Sequence, residues 1–404
     1  MHNHLAVAII AILILAFGLV SQKAEKTPLT APMFFVAIGI VLSPLGLNLL
    51  NLEINAEITR TIAEITLIII LFVDASFIKL KHMRARLQGI PFRLLGIGLP
   101  LTMLSGVIVG MVLFPQWNLW LVALLALILS PTDAALGQAV VKSESVPIKV
   151  RESISIESGL NDGIALPPIL VCIAVLSSVT GTISQDDHWL AYTAKQLTFG
   201  PLVGCLVGII GGKLVEQAAR RQWMEPVFQR LAAISLALLA FSGAELLHGN
   251  GFIAAFCAGL FLSVKNEQVR ERIQEFGETE GQLLTLFVFF ILGLFAIPNY
   301  MQYWTAEIWV YALLSLTVIR MAPVFICLIG SDTNFYSKCF IAWFGPRGIA
   351  SILYMLLVIS ELGGEQYAQM LSVIVLTVTL SVFAHGVTAV GMSNRFSKVK
   401  ESTK

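Results

Sequence analysis

Thirteen apolar stretches of roughly bilayer length follow one another along this 404-residue chain, and no other feature constrains its fold as strongly. A chain that crosses a bilayer must satisfy its backbone hydrogen bonds internally, and an apolar run of about 20 residues does so as an α-helix. The sequence therefore predicts an all-α polytopic membrane protein. We expect its transmembrane helices at 5–20, 31–47, 61–79, 91–114, 118–141, 152–178, 196–217, 228–247, 250–264, 282–298, 305–330, 337–361 and 366–391.

The composition argues against several other classes of protein. Hydrophobic residues make up 57% of the chain and charged residues 13%, which is outside the range of a soluble domain. The net charge of +1, without an extended basic face, argues against a nucleic-acid partner. There is no Walker motif or glycine-rich phosphate loop, so ATP is not the energy source. The five cysteines lack metal-ligand spacing, and we expect no cofactor.

The distribution of basic residues predicts the orientation of the chain. Apart from Arg60, Lys195, Arg320 and Arg347, all of the 26 basic residues fall on one side of the predicted membrane. Because cytoplasmic loops are rich in Lys and Arg, we expect the amino terminus outside and the carboxyl terminus inside. The first apolar run has no Lys or Arg before it, which predicts a retained helix rather than a signal peptide. We expect a multi-pass protein of a bacterial inner membrane, in contact with the lipid bilayer.

Ionisable residues inside these spans are the candidate functional residues. A charge near the bilayer centre costs roughly 3 kcal/mol or more, so such residues are kept for a purpose. The third, fifth, sixth, eleventh and twelfth spans contain them: Asp74, Asp133, Glu157, Asp162, Arg320 and Arg347.

Two of these spans also carry sequences that break helices. In the fifth span Pro131 stands before Thr132 and Asp133, where it removes a backbone hydrogen bond and should unwind the helix. Freed carbonyls beside a carboxylate suit a small dehydrated cation. The twelfth span contains the second break, Gly345-Pro346-Arg347-Gly348. Paired breaks in spans of opposite direction are typical of inverted-repeat transporters, with the binding site between them, although both prolines could be simple kinks.

The sixth span places two acids close together. Ser158 and Asp162 share one helical face, and Glu157 and Asn161 share the adjacent face. Two uncompensated acids in a medium of low dielectric constant cannot both stay ionised. We therefore predict a salt bridge between Glu157 and an arginine, preferably Arg320 rather than Arg347. Asp162 then remains free to hold either a proton or a cation, and competition for that site is sufficient for exchange.

The same residues resemble those of the NhaP and NHE branch of the monovalent cation/proton antiporters, and the resemblance covers essentially the whole chain. Its single Asn-Asp pair is similar to that of the electroneutral members, which implies an exchange of one Na+ or Li+ for one H+. The motifs that carry the resemblance are Thr132-Asp133, Glu157-Ser158, Asn161-Asp162, Arg320 in RMAPV, and Gly345-Pro346-Arg347-Gly348.

The resemblance also implies roles for individual residues. Asp162 would be the principal carrier, and Ser158, Asp133 and the Thr132 carbonyl would complete the cation shell. Asn161 would stabilise the break by bonding towards Asp133, while Glu157 and its arginine would be structural. Asp74 would reach the ion through water.

Two departures from the family pattern bear on these roles. Pro131 precedes the threonine, whereas the family often has Asp-Pro after it, so the local break can differ. Asp74 is one methylene shorter than the usual glutamate, which affects its reach to the ion. The resemblance further implies a homodimer, with a core at 91–178 and 305–391 and a dimerisation domain at 5–79 and 196–298.

Other interpretations stay open. The cation could be K+, since oxygen ligands accept Na+, Li+ and K+ alike. A cation channel with a carboxylate-lined pore is the alternative from another class. A membrane hydrolase lacks a histidine beside Ser158, and we expect no enzyme. His385, in the last span, is an ordinary hydrogen-bonded helix residue or a pH sensor.

Overall fold

The computed structural model describes residues 2–24, 27–50, 56–78, 89–179 and 189–401. Within these ranges the regular structure is helical throughout. The basic residues Lys79, Lys81, Arg84 and Arg86, which contribute to the predicted orientation, lie outside the described residues.

The first half of the chain contains nine described α-helices. A π-helical turn, Leu94–Gly98, joins the fourth to the fifth. The helices are α1 (His2–Ala24), α2 (Ala31–Leu42), α3 (Ala56–Ser76), α4 (Ile90–Arg93), α5 (Leu99–Leu113), α6 (Leu119–Ile128), α7 (Ala134–Val141), α8 (Ile148–Val179) and α9 (Trp189–Leu206).

The second half of the chain continues in the same way. Two further π-helical turns, Val207–Gly211 and Leu292–Ala296, link neighbouring helices into longer rods. The helices are α10 (Gly212–Arg220), α11 (Pro226–Leu246), α12 (Gly251–Leu260), α13 (Glu267–Ile291), α14 (Ile297–Tyr300), α15 (Ala306–Leu316), α16 (Val318–Cys327), α17 (Phe335–Trp343), α18 (Ile349–Leu362) and α19 (Ala368–Glu401). Short 3₁₀ turns, Met301–Tyr303 and Glu365–Tyr367, complete the described elements.

Asparagine side chains start several of these helices. An asparagine at the N-cap accepts a hydrogen bond from a backbone N–H of the first turn, which has no partner within the helix. Asn118 accepts from Leu121 at the start of α6, at 2.8 Å. Asn250 and Asn334 cap α12 and α17 in the same way. These caps fix where short helices begin in spans whose hydropathy alone sets no boundary.

Seven of the described helical rods are long and apolar enough to cross a membrane, and five shorter apolar helices accompany them. Each predicted span overlaps one of the described helices or a consecutive group of them. The all-α fold is as predicted, while the count of thirteen crossings and the orientation stay predictions. Many large apolar side chains point outward, such as Leu104, Val112 and Leu239, as expected of a surface that faces lipid.

Both predicted breaks are present. The fifth span is divided between α6 and α7, and the twelfth between α17 and α18. A further interruption at Thr317, between α15 and α16, was not predicted. Its φ of −112° and ψ of −93° lie outside the helical region, and no glycine or adjacent proline marks the position. The largest fully buried side chains are Arg320 and Arg347, so the centre of this apolar bundle is charged.

Candidate cation site

The unwound segment between α6 and α7 places a row of backbone carbonyls inside the protein. Pro131 cannot continue the helical hydrogen bonds, and α6 ends at Ile128. The guanidinium of Arg347 donates to the carbonyls of Ser130 and Pro131 at 2.5 and 3.1 Å. A positive charge therefore stands at the carboxyl end of α6, where the helix dipole is negative. Two of the freed carbonyls are thus bound by an arginine, and Thr132 supplies the next one.

The second unwound segment, between α17 and α18, explains both of its glycines. A Cβ atom at Gly345 would collide with the guanidinium of Arg320, and one at Gly348 would collide with the carboxylate of Asp133. Only glycine lets these two charged groups approach the backbone so closely. Each glycine of the predicted motif therefore makes room for one charged group, Gly345 for Arg320 and Gly348 for Asp133.

Asp133 connects the two breaks. Its N–H donates to the carbonyl of Pro346 at 2.8 Å. Its carboxylate accepts from the N–H of Leu136, at 3.2 Å, and from the N–H of Ile349. These donors belong to the first turns of α7 and α18, so one carboxylate stabilises the positive ends of two half-helices. Asp133 also lines the central cavity, where it was predicted to bind the cation.

Asn161 contacts a different residue from the one predicted. Its amide donates to the hydroxyl of Thr132 at 2.7 Å and lies 3.4 Å from the Thr132 carbonyl. The prediction that it bonds towards Asp133 is wrong, because the Asp133 side chain turns to the helix N-termini instead. Ser158 donates to the Thr132 carbonyl at 2.7 Å. Thr132 is therefore held from two successive turns of α8.

Glu157 and Arg320 form the predicted salt bridge. The two guanidinium nitrogens donate to the two carboxylate oxygens at 2.6 and 2.9 Å, in a bidentate pair. Both side chains are 1% exposed. Of the two arginines considered, Arg320 is the partner, because Arg347 is occupied by the carbonyls of α6. Both carboxylate oxygens of Glu157 are therefore occupied by Arg320.

Within the part of the chain that the structure describes, the buried Oδ1 of Asp162 has no hydrogen-bond partner. The Oδ1 of Asn161 is likewise unpartnered. The hydroxyl of Tyr354 donates to the Asp162 backbone carbonyl at 2.9 Å, which fixes this turn of α8 against α18. A buried carboxylate oxygen without a donor is costly, so it calls for a proton or a cation. Tyr354 was not predicted, since nothing in its local sequence marks it as polar-facing.

A cavity of ≈ 730 Å³ connects the three central acids. Asp74, Asp133 and Asp162 all line it, together with Ser158. The wall of the cavity also includes Lys142, one of the basic residues on the predicted cytoplasmic side. Asp74 is thus on the wall of the same cavity, as its predicted role through water requires.

His385 supports the second break rather than the cavity. Its Nε2 lies 2.9 Å from the carbonyl of Trp343, at the end of α17, and its Nδ1 lies 3.1 Å from the hydroxyl of Ser381. Ser381 in turn accepts from the N–H of Arg347 at 2.7 Å. Both ring nitrogens are therefore occupied, which favours the interpretation of an ordinary hydrogen-bonded residue.

Comparison with known proteins places these features in context. A family model described as "Sodium/hydrogen exchanger, transmembrane" matches residues 9–394. The K(+)/H(+) antiporter NhaP of Alkalimonas amylolytica is 25% identical over 358 residues, which cover 87% of this chain and 60% of that protein. The K(+)/H(+) antiporter NhaP2 of Shewanella sp. (strain ANA-3) is 24% identical over 371 residues, which cover 90% and 62%. The chain thus spans about three fifths of the length of these relatives.

A solved structure shows the same fold. The structure of the sodium proton antiporter MjNhaP1 from Methanocaldococcus jannaschii at pH 8 matches with a TM-score of 0.77. The match covers 98% of this chain and 99% of that one, at 21% sequence identity. The arrangement of helices is therefore shared along the whole chain.

Proposed function

Since this chain belongs to the sodium/hydrogen exchanger family, we propose that this multi-pass membrane protein exchanges a monovalent cation for H+ and catalyses no chemical reaction. One observation carries the proposal: a buried oxygen of Asp162 has no hydrogen-bond partner among the described residues, and its side chain lines a cavity with two further acids. Such a carboxylate is stable when it holds a proton or a cation. Loading one displaces the other, because both depend on the same negative charge.

The cation shell is built from the residues around that oxygen. Asp162 supplies the charge, the Thr132 carbonyl and the Ser158 hydroxyl supply neutral oxygens, and Asp133 and Asp74 complete the ring. The amide of Asn161 adds no charge beside Asp162, so the Asn161-Asp162 pair contributes one exchanging carboxylate. This supports an electroneutral exchange of one cation for one proton.

The exchange also requires that the site open to the two sides in turn. The cavity reaches the site along the face of α8 that carries Ser155, Ser158 and Asp162. We assign this to the cytoplasmic side, on the distribution of basic residues. A core formed by 91–178 and 305–391 would then move against a dimerisation domain formed by 5–79 and 196–298, in a homodimer of a bacterial inner membrane.

We propose Na+ or Li+ as the cation, with K+ as the alternative. Carboxylate, carbonyl and hydroxyl oxygens bind all three. The relatives named above are K(+)/H(+) antiporters, and the protein of similar fold is a sodium proton antiporter. The names therefore support antiport with either ion.

The proposal is tested with purified protein in vesicles that carry a preset pH gradient. We expect Na+, Li+ or K+ to collapse the gradient with wild type, and Asp162→Asn to abolish this effect. Asp332→Asn is the matched control, because Asp332 is an exposed acid in the loop before α17. Collapse that persists in Asp162→Asn would refute the assignment of the site. Cation flux that is independent of the pH gradient would indicate a channel instead.

A further inference from the structure

The last turn of α3 is held by one face of α13. The guanidinium of Arg270 donates to the carbonyl of Ser76 at 2.7 Å, and the amide of Gln274 donates to the same carbonyl at 2.8 Å. One turn further along α13, a Cβ at Gly277 would lie 3.1 Å from Cγ1 of Val73, so the two helices touch there. Positions 270, 274 and 277 are four and three residues apart and share one helical face.

This contact closes the carboxyl end of α3. The final carbonyls of a helix have no partner within it. Here the hydroxyl of Ser76 donates to the Val73 carbonyl at 2.7 Å, and the N–H of Ile78 donates to the Ala75 carbonyl at 3.1 Å. Arg270 and Gln274 satisfy the last one. The turn closed in this way is the turn that carries Asp74.

The same helix forms part of the wall of the cavity that Asp74 lines. Beyond the contact with α3, α13 lines the cavity with Gly277, Gly281, Gln282 and Thr285. The two helices thus enclose the cavity together, and their relative position decides where the Asp74 carboxylate lies. Asp74 itself is in the last turn of α3, at the negative end of the helix dipole, where a carboxylate is disfavoured. The guanidinium of Arg270 binds the Ser76 carbonyl at this negative end of the helix.

We propose that Arg270 and Gln274 are positioning residues for Asp74. They hold the end of α3 so that this carboxylate faces the cavity, and the positive charge of Arg270 complements the negative carboxyl end of the helix. The proposal rests on the proposed function, in which Asp74 belongs to the cation shell. It assigns a transport role to a stretch of α13 that carries no motif in the sequence.

Arg272 provides a matched control on the same helix. Its guanidinium donates to the side-chain oxygen of Gln229 on α11, at 2.8 Å. The change Arg272→Gln therefore removes the same charge from the same stretch of α13, two residues away. It leaves the contact with Ser76 in place.

The test measures the cation dependence of exchange in vesicles. Loss of a residue that orients a cation ligand commonly weakens binding by about 10-fold to 100-fold, and Arg270 orients Asp74 only through the backbone of α3. We therefore expect Arg270→Gln to raise the half-saturating cation concentration by about tenfold, at the lower end of that range. The maximal rate should stay close to wild type, and Arg270→Lys should recover part of the loss. Arg272→Gln should match wild type in both quantities. Equal behaviour of Arg270→Gln and Arg272→Gln would overturn the proposal.

A double variant separates positioning from general damage. If Arg270 acts through Asp74, adding Arg270→Gln to Asp74→Asn should change the half-saturating concentration no further, since the two effects share one path. An additive loss would refute the proposal. Where Arg270→Gln does not fold, Gln274→Ala takes its place in both comparisons. Absence of exchange in wild type would instead refute the proposed function, and is thereby distinguished from failure of this inference.

Discussion

Glu157 and Asp162 stand five residues apart on the same helix, both are buried acids, and their surroundings give them opposite roles. Both oxygens of Glu157 are bound by Arg320, whereas one oxygen of Asp162 has no partner in the described ranges and its side chain lines a cavity. Burial alone therefore does not make an exchange site. A carboxylate that is permanently paired with an arginine is not available to bind a transported ion. A buried carboxylate without such a partner must bind a proton or a cation.

The largest effect is expected from separating Glu157 from its partner. Arg320→Met leaves a buried carboxylate without a counter-ion, and breaking a buried pair in this way typically costs about 3–5 kcal/mol of stability. Thermal unfolding in detergent measures the change. Arg395→Met is the control, because Arg395 is exposed on α19. Similar unfolding of the two variants would mean that Glu157 finds another partner or is protonated at no cost, and the comparison with Asp162 would fail.

A smaller loss is expected at Asp133. The amide of Asp133→Asn has one oxygen and no charge, so it can no longer accept a hydrogen bond from each of Leu136 and Ile349 through a separate charged oxygen. Hydrogen bonds to a charged group contribute about 1.5–3 kcal/mol, and we expect a loss of stability near the lower value. Unfolding measured beside Asp162→Asn checks this, since Asp162 has a free oxygen and should lose no stability. A stable Asp133→Asn variant would contradict the capping of two half-helices.

Removing both members of the salt bridge should undo most of the first effect. In the double variant Glu157→Met, Arg320→Met no buried charge lacks a partner, and such apolar replacements are often neutral, within about 1 kcal/mol. Exchange should persist, because Asp162 and its shell remain. Vesicle transport and unfolding of the double variant measure both points. Loss of exchange in a stable double variant would show that Glu157 takes part in transport, contrary to the comparison above.

The sequence predicts some contacts of the site well and others poorly. The cost of burying a charge was sufficient to predict the pairing of Glu157 with Arg320, and Pro131 and Gly345 marked the two breaks. The double capping by Asp133 could not be predicted, because it depends on how two breaks more than 200 residues apart cross in space. The bond from Asn161 to Thr132, rather than towards Asp133, follows from that crossing. Tyr354 and Ser381 bind backbone groups, which leave no motif in the sequence.

The smallest effect is expected at His385, a further buried titratable residue. Its ring nitrogens contact Trp343 and Ser381, and it does not line the cavity around Asp162. Protonation of its ring is therefore not needed for exchange. We expect His385→Ala to leave the midpoint of the pH profile of transport unchanged, with a modest loss of stability like that of Ser381→Ala. A displaced midpoint in His385→Ala, but not in Ser381→Ala, would identify His385 as a pH sensor. It would also show that the pH response depends on the contacts of His385 beside the second break, and not only on Asp162.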